Sequence, residues 1–494
     1  MNNLVIIPII IPLLAGIISI FFLKHIVWQR WIGSVALIVT VLVSFYLLNQ
    51  VYANGIQTLE LGGWAPPFGI VLVADMLSAL LTLTTSVIGL ACFIYAFKSV
   101  GEGRERHFFY PVFLFLITGV IASFLTGDLF NLFVCFEVLL ISSYVLISIG
   151  GTKPQLRESM KYILVNIVSS AFFVIGVAFL YAVTGTLNMA DLSQRIADVG
   201  QTGFLTVLSI FLLIVFGIKA ALFLYFWLPG SYRVPPPAVQ AIFAALLTKV
   251  GIYAIIRIFT LIFYHQPDIT HQLLAWLAAL TMLLGVIGAV ASWDVLKILA
   301  YNIVAAVGIV IFGLASFSAT GLEGALFYLV HDMVIKAVLF LLAGAMISIT
   351  GTTNLRKVGG LIVHHPVLGW MFFIAAIALA GIPPLSGFIG KLLIIQGGIE
   401  TEHYWITGIL LLSSLLILYS VIKIFMNGFW GEQKLSRDEE KGNTKGLLAP
   451  CAFLVAISIF WGVGAEWIYP YIEMATQTLT DPSIYIQSVL NIKE

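Results

Sequence analysis

The sequence predicts an all-α polytopic membrane protein with about fourteen transmembrane helices. Three observations carry this reading. Hydrophobic residues make up 61% of the 494-residue chain and charged residues 10%, more apolar surface than a soluble core can bury. The apolar residues fall in continuous runs of spanning length rather than in alternation, which favours helices over a β-barrel. The basic residues of the loops are also sorted. Odd-numbered loops hold them, from Lys24 and Arg30 to Lys441 and Lys445, while even-numbered loops and tails hold only Arg195 and Lys493. By the positive-inside rule the odd loops are cytoplasmic and both termini lie outside.

In chain order the spans are expected near 4–22, 30–50, 70–97, 108–126, 128–150, 158–183, 204–231, 236–263, 272–292, 294–315, 321–349, 366–399, 404–427 and 447–467. The first run is too long for a signal-peptide core and has no basic residue before it, so it reads as a retained helix. Asn49 to Gly69 is a Gly- and Pro-containing outer segment. Asp75, in VLVADMLSALL, opens the third span and reads as a partly wet acid at a helix start, a secondary site role being the alternative. Gly431 to Lys445 is a cytoplasmic run of mixed charge, a solvated linker or a partner-facing surface.

No loop is large enough for a soluble catalytic domain. Cys92, Cys135 and Cys451 lie in apolar runs without metal spacing. There is no Walker A loop and no dinucleotide fingerprint after a strand. The chain therefore reads as a non-enzymatic protein with no cofactor or metal of its own, and a net charge of +1 gives no reason to expect nucleic acid.

Charges inside the apolar runs carry the functional signal. Lys219 and Lys249 lie in adjacent spans flanking the Pro-rich break LPGSYRVPPPA. A lysine at mid-bilayer costs about 2.5–3.5 kcal/mol on insertion scales, so it is usually kept for a proton or ion path; snorkelling or neutralisation of a buried acid is the plainer alternative. Glu137, in GDLFNLFVCFEVLLISSYVLI, is the acid deepest in a span of the first half, and Lys219 is its natural partner, for function or for structure alone.

EGALFYLVHDMVIKAVLFLLAG carries His331, Asp332 and Lys336; Asp332, a secondary site candidate, and Lys336 are spaced i,i+4 and share a helix face, well placed to pair. His331 is about 100° further round and suits a proton relay or a satisfied core position. Arg257, Lys423 and Glu466 lie toward span ends and read as snorkelling or structural residues. In ALAGIPPLSGFIGKLLII, Pro383 and Pro384 break a span just before Lys391, echoing the break after Lys219. Discontinuous helices near 219–231 and 381–391 point to two inverted repeats, the alternative being ordinary proline kinks.

These residues are also where a family resemblance lies. FEVLLISSYVLI, KAALFLYFWLPGSYRVPPPAV, LLTKVGIYAIIR, HDMVIKAVLFL and GIPPLSGFIGK occur in this order over nearly the whole chain. The chain resembles the antiporter-like subunits shared by respiratory complex I, membrane hydrogenases and Mrp-type multisubunit Na⁺/H⁺ antiporters, with wording most like the D-type subunits of the Mrp class. The resemblance implies a Glu137–Lys219 pair, then Lys249, then His331 with Lys336, then Lys391, as a proton path in a bacterial cell membrane. One departure stands out: many relatives place the histidine four residues before the lysine, where this chain has Asp332, with His331 one earlier.

The resemblance further implies helices 1–3 in residues 1–107, a first antiporter repeat in 108–263, a second in 272–427, and a charged loop with a last helix in 428–494. It implies partners, a larger homologous subunit and several small hydrophobic ones, and a substrate of H⁺ and Na⁺. A proton-pumping subunit of complex I or of a hydrogenase is the alternative function, its redox chemistry lying in other chains.

Overall fold

A computed structural model describes residues 2–201 and 203–491; Lys493, counted with the C-terminal tail above, lies outside them. The continuous apolar runs form helices because a backbone removed from water must satisfy its own hydrogen bonds. In order these are α1 (Ile7–Phe21), α2 (Ile26–Asn54), α3 (Met76–Ser99), α4 (Phe109–Leu125), α5 (Leu129–Ser148), α6 (Lys153–Thr184), α7 (Gly203–Ala220) and α8 (Pro237–Ile262). They continue with α9 (Pro267–Ala291), α10 (Val295–Ala315), α11 (Ala319–Thr350), α12 (Pro366–Ala380), α13 (Ser386–Glu400), α14 (Tyr404–Gly428), α15 (Leu448–Val463), α16 (Ala465–Thr480) and α17 (Pro482–Leu490).

Each expected span holds a helix. Among the described residues ten helices are individually long and apolar enough to cross a membrane, or up to eleven if the bent pair α15–α16 is one span; α1, α4 and α12 are shorter and apolar. The protein is thus a mostly helical multi-pass membrane protein. Helices α8, α10 and α11 are buried almost all round, whereas α2, α5, α6 and α9 each leave a broad apolar face outward.

Three features were not legible as spans. The segment after α2 forms an antiparallel pair, β1 (Gln57–Glu60) with β2 (Val71–Ala74), registered Gln57 opposite Ala74 and Glu60 opposite Val71. A short amphipathic helix, Met189–Val199, follows α6. Beyond α15 the chain turns by 79° into α16 and ends in α17. These elements gather at one end of the bundle, where α17 lies against β1 and Met189–Val199.

The inverted repeat is written into two matching knots. Asp128 N-caps α5 and bridges Asn188; Asp294 N-caps α10 and bridges Asn354, at the same offset along the chain. Leu129 N–H donates to Leu187 C=O in the first knot and Val295 N–H to Thr353 C=O in the second, both at 2.9 Å. The preceding helices, α6 and α11, are both 32 residues long and both end on a left-handed glycine, Gly185 and Gly351. The starts of α5 and α10 are an odd number of crossings apart, so the knots sit at opposite ends of the bundle.

Both expected breaks are present. The second falls between α12 and α13, at Gly381 to Leu385. The first begins earlier than Pro229: α7 stops at Ala220, and Ala221 and Phe223 take positive φ. The freed backbone groups find partners there, Phe223 N–H on Thr281 Oγ1 at 2.8 Å and Ile218 C=O on Trp227 Nε1 at 3.1 Å. Helix interruption in a membrane is tolerated only where such partners exist.

Candidate functional site

The buried charges cluster on α7, α8, α11 and α13. At their centre is an ion pair between Lys249 on α8 and Asp332 on α11, Nζ to Oδ2 2.7 Å, with both side chains sealed from solvent. The other carboxylate oxygen reaches Lys336 Nζ at 3.4 Å, one turn along α11. One acid thus bridges two ammonium groups away from the surface.

The backbone completes their coordination. Helix α8 takes a π-turn over Phe243–Leu247, which frees Ala244 C=O to accept from Lys249 Nζ at 2.9 Å. Lys336 Nζ donates to Asn302 C=O on α10 at 3.0 Å, and the Asn302 amide is held by Ser420 of α14 at 3.0 Å.

Lys219 lies in the last turn of α7. Its ammonium donates to Ser170 Oγ on α6 at 3.0 Å and sits 4.9 Å from the centre of the Phe136 ring. Gly251 lets α8 approach this end: a Cβ there would meet Ala220 N at 2.6 Å. The expected Glu137–Lys219 contact is not direct. No ion pair joins Glu137 and Lys219 among the described residues. The reason is helical geometry. Phe136 takes the position facing the ammonium, and Glu137, about 100° further round, is half-buried between the exposed Val134, Val138 and Ile141, with Oε1 unbonded.

Lys391, in α13, turns back across the second break and donates to Ala380 C=O at 2.8 Å and Leu379 C=O at 3.2 Å, the last carbonyls of α12. A cation at a helix C-terminus is favoured by the free carbonyls there. Gly381, at φ 87°, makes room, since a Cβ would press on the lysine stem at 3.0 Å. His331 faces the same break: Nδ1 shares a 2.6 Å hydrogen bond with Ser386 Oγ, and its ring lies 5.3 Å from that of Tyr328, over which Lys391 Nζ sits at 5.7 Å. His331 Nε2 and Tyr328 Oη are buried and unbonded.

The structure therefore joins Lys249, Asp332 and Lys336 directly, places His331 and Lys391 together beside the second break, and sets Lys219 beside the first. Asp332, a secondary candidate by sequence, holds the central position. Ser170, Asn302 and Tyr328 were missed. The TGT-x-N wording at Thr184–Asn188 and Thr350–Asn354 would have aligned the repeats, matching Ser170 to Lys336 and Asn166 to Asp332.

Two end-of-span residues meet. Arg257 takes the structural of its two readings, and Asp75 is not wet. Arg257 Nη1 pairs with Asp75 Oδ2 at 2.7 Å, both buried, because β1–β2 and α17 cover that end of the bundle. Asp75 does cap α3, in a reciprocal box with Ser78. Lys423 reaches the carbonyls of Val290 and Ser292 at the end of α9, as a snorkelling lysine would, and Glu466 is exposed.

Comparison with known proteins gives the same picture. Residues 126–417 match the family described as NADH:quinone oxidoreductase/Mrp antiporter, TM. The chain is 56% identical to the D-type subunit of the Na⁺/H⁺ antiporter of Bacillus subtilis (strain 168), over 99% of this chain and 100% of that one. Against its counterpart of the same name from Alkalihalophilus pseudofirmus the identity is 51%, with the same coverage. A chain in the structure of the Mrp complex from Dietzia sp. DQ12-45-1b superposes with a TM-score of 0.92 at 30% identity, covering 99% of this chain and all of that one. With the two knots, the two broken helices and the buried lysines in their expected order, the chain belongs to the family of D-type subunits of Mrp-class Na⁺/H⁺ antiporters.

Proposed function

We propose that this chain is the proton-translocating subunit of a multisubunit Na⁺/H⁺ antiporter, with the repeats at 108–263 and 272–427 as its two transport halves and both termini outside. The observation that carries the proposal is the Lys249–Asp332–Lys336 bridge, flanked by Lys219 at one broken helix and His331 with Lys391 at the other. A lysine ammonium can release and regain a proton, and an aspartate between two of them compensates one charge while the other is exchanged. Gaps between neighbouring helices of about 8–10 Å exceed one hydrogen bond, so protons pass these gaps through bridging water.

Glu137 points to partners. A carboxylate at mid-span, partly exposed beside lipid-facing side chains, is costly against hydrocarbon and is relieved if another subunit covers it. We expect the chain to co-purify with a larger relative and several small hydrophobic subunits. The test is reconstitution: the intact complex should show Na⁺-induced proton movement in vesicles, and the isolated chain should not. Full exchange by the isolated chain would sink the proposal.

Glu137→Ala in an assembled complex is expected to slow exchange by about 10²-fold, the lower range for loss of a positioned proton-handling group. Glu137→Asp should keep part of the rate, because the charge survives with a shorter reach. A Glu137→Ala complex at wild-type rate would remove this acid from the path.

A further inference from the structure

The Arg257–Asp75 pair belongs to none of these steps, yet it lies on the helix that carries the central lysine. Lys249, Tyr253 and Arg257 are spaced i, i+4, i+8 on a regular stretch of α8, so they form one polar ladder about 12 Å long. All three are buried. Tyr253 Oη donates to Phe124 C=O at 2.8 Å and accepts from Arg257 Nε at 3.4 Å. The guanidinium lies against two rings, 5.2 Å from the centre of Tyr253 and 5.1 Å from that of Tyr485 on α17. Its Nη1 is taken by Asp75, and Tyr485 in turn abuts the turn at Gly127. In the proposed orientation this is the outer end of the bundle.

We propose that Arg257, locked by Asp75 and lidded by Tyr485, is a donor-only plug that closes the outer end of the Lys249 helix to protons. Two properties suit the guanidinium to this role. It stays charged and offers donors only, so a hydrogen-bonded proton wire, in which every member must accept as well as donate, breaks there. It is also held on three sides, by Asp75, Tyr253 and Tyr485, so it stays in the route. Asp75 takes Nη1 while Nε meets Tyr253, so the edge turned to the ladder is a donor edge. The ladder otherwise gives a short polar route from the outer surface to the central ion pair, and an unplugged route would let protons pass without exchange for Na⁺.

The inference rests on the antiport reading, but its test does not use antiport. Intact complex is reconstituted in vesicles with an imposed pH gradient and no Na⁺, and the decay of the gradient is followed with a pH dye. Wild type should hold the gradient. Asp75→Asn with Arg257→Gln, which leaves no charge unpaired and replaces the donor-only guanidinium by an amide that accepts as well as donates, should speed the decay. Tyr485→Ala, which removes the lid, should speed it less. Either variant, assembled and as proton-tight as wild type, would overturn the plug; failure of both to assemble would show a structural clamp and overturn it equally. Na⁺-induced proton movement by the wild-type complex, measured separately, reports on the antiport reading alone.

Discussion

Lys249→Met is expected to stop Na⁺-driven proton exchange, and Lys249→Arg to stop it nearly as completely. Lys249 joins α8 to α11 through its pair with Asp332 at 2.7 Å. Methionine keeps much of the volume and removes the proton. Arginine keeps the charge, and with it the pair to Asp332, but does not release its proton. Loss of a positioned proton carrier is worth about 10²–10⁴ in rate, so both variants should fall at least into the lower part of that range while the complex still assembles. Vesicle flux at matched complex content checks this. A Lys249→Arg complex at wild-type rate would make Lys249 a fixed charge rather than a carrier.

The second large effect is expected at Asp332. Its carboxylate serves both Lys249 and Lys336, and Asp332→Ala leaves two buried ammonium groups without a counter-charge. Breaking a buried pair from one side costs about 3–5 kcal/mol, so this variant should lose exchange and also lower the thermal stability of the complex. Asp332→Glu should restore assembly and part of the rate, since α11 keeps its acid and only the reach changes. Normal flux in Asp332→Ala would show that the bridge is dispensable.

The lysines were legible because a charge inside an apolar run is visible without any knowledge of its neighbours. The second break was legible for the same kind of reason, since Pro383 and Pro384 cannot continue a helix. The first was placed too late. Its cause is the backbone at Ala221 and Phe223, held by Thr281 and Trp227, and neither residue type announces a break.

Contacts between helices were not legible. Nothing local to VHDMVIK says that Asp332 reaches Lys249 on another helix, and the i,i+4 spacing favoured Lys336 instead. Asp75 reads as wet, and Arg257 as free to snorkel, for a related reason. Each stands near a span end, where water is the ordinary neighbour, but α17 and the strand pair fold across that end and exclude it. The Glu137–Lys219 contact failed on the angular step between Phe136 and Glu137, which mid-span depth alone does not reveal.

The most direct test of the central claim, that protons cross this chain along the row between its two broken helices, is vesicle flux in the intact complex with Lys219→Ala and Lys391→Ala made separately. The two lysines sit at opposite breaks and share no partner, so a local structural defect at one does not reach the other. The account predicts that each variant assembles, that each loses Na⁺-driven proton movement, and that the double variant is no worse than either single one. Wild-type flux in either single variant would contradict it.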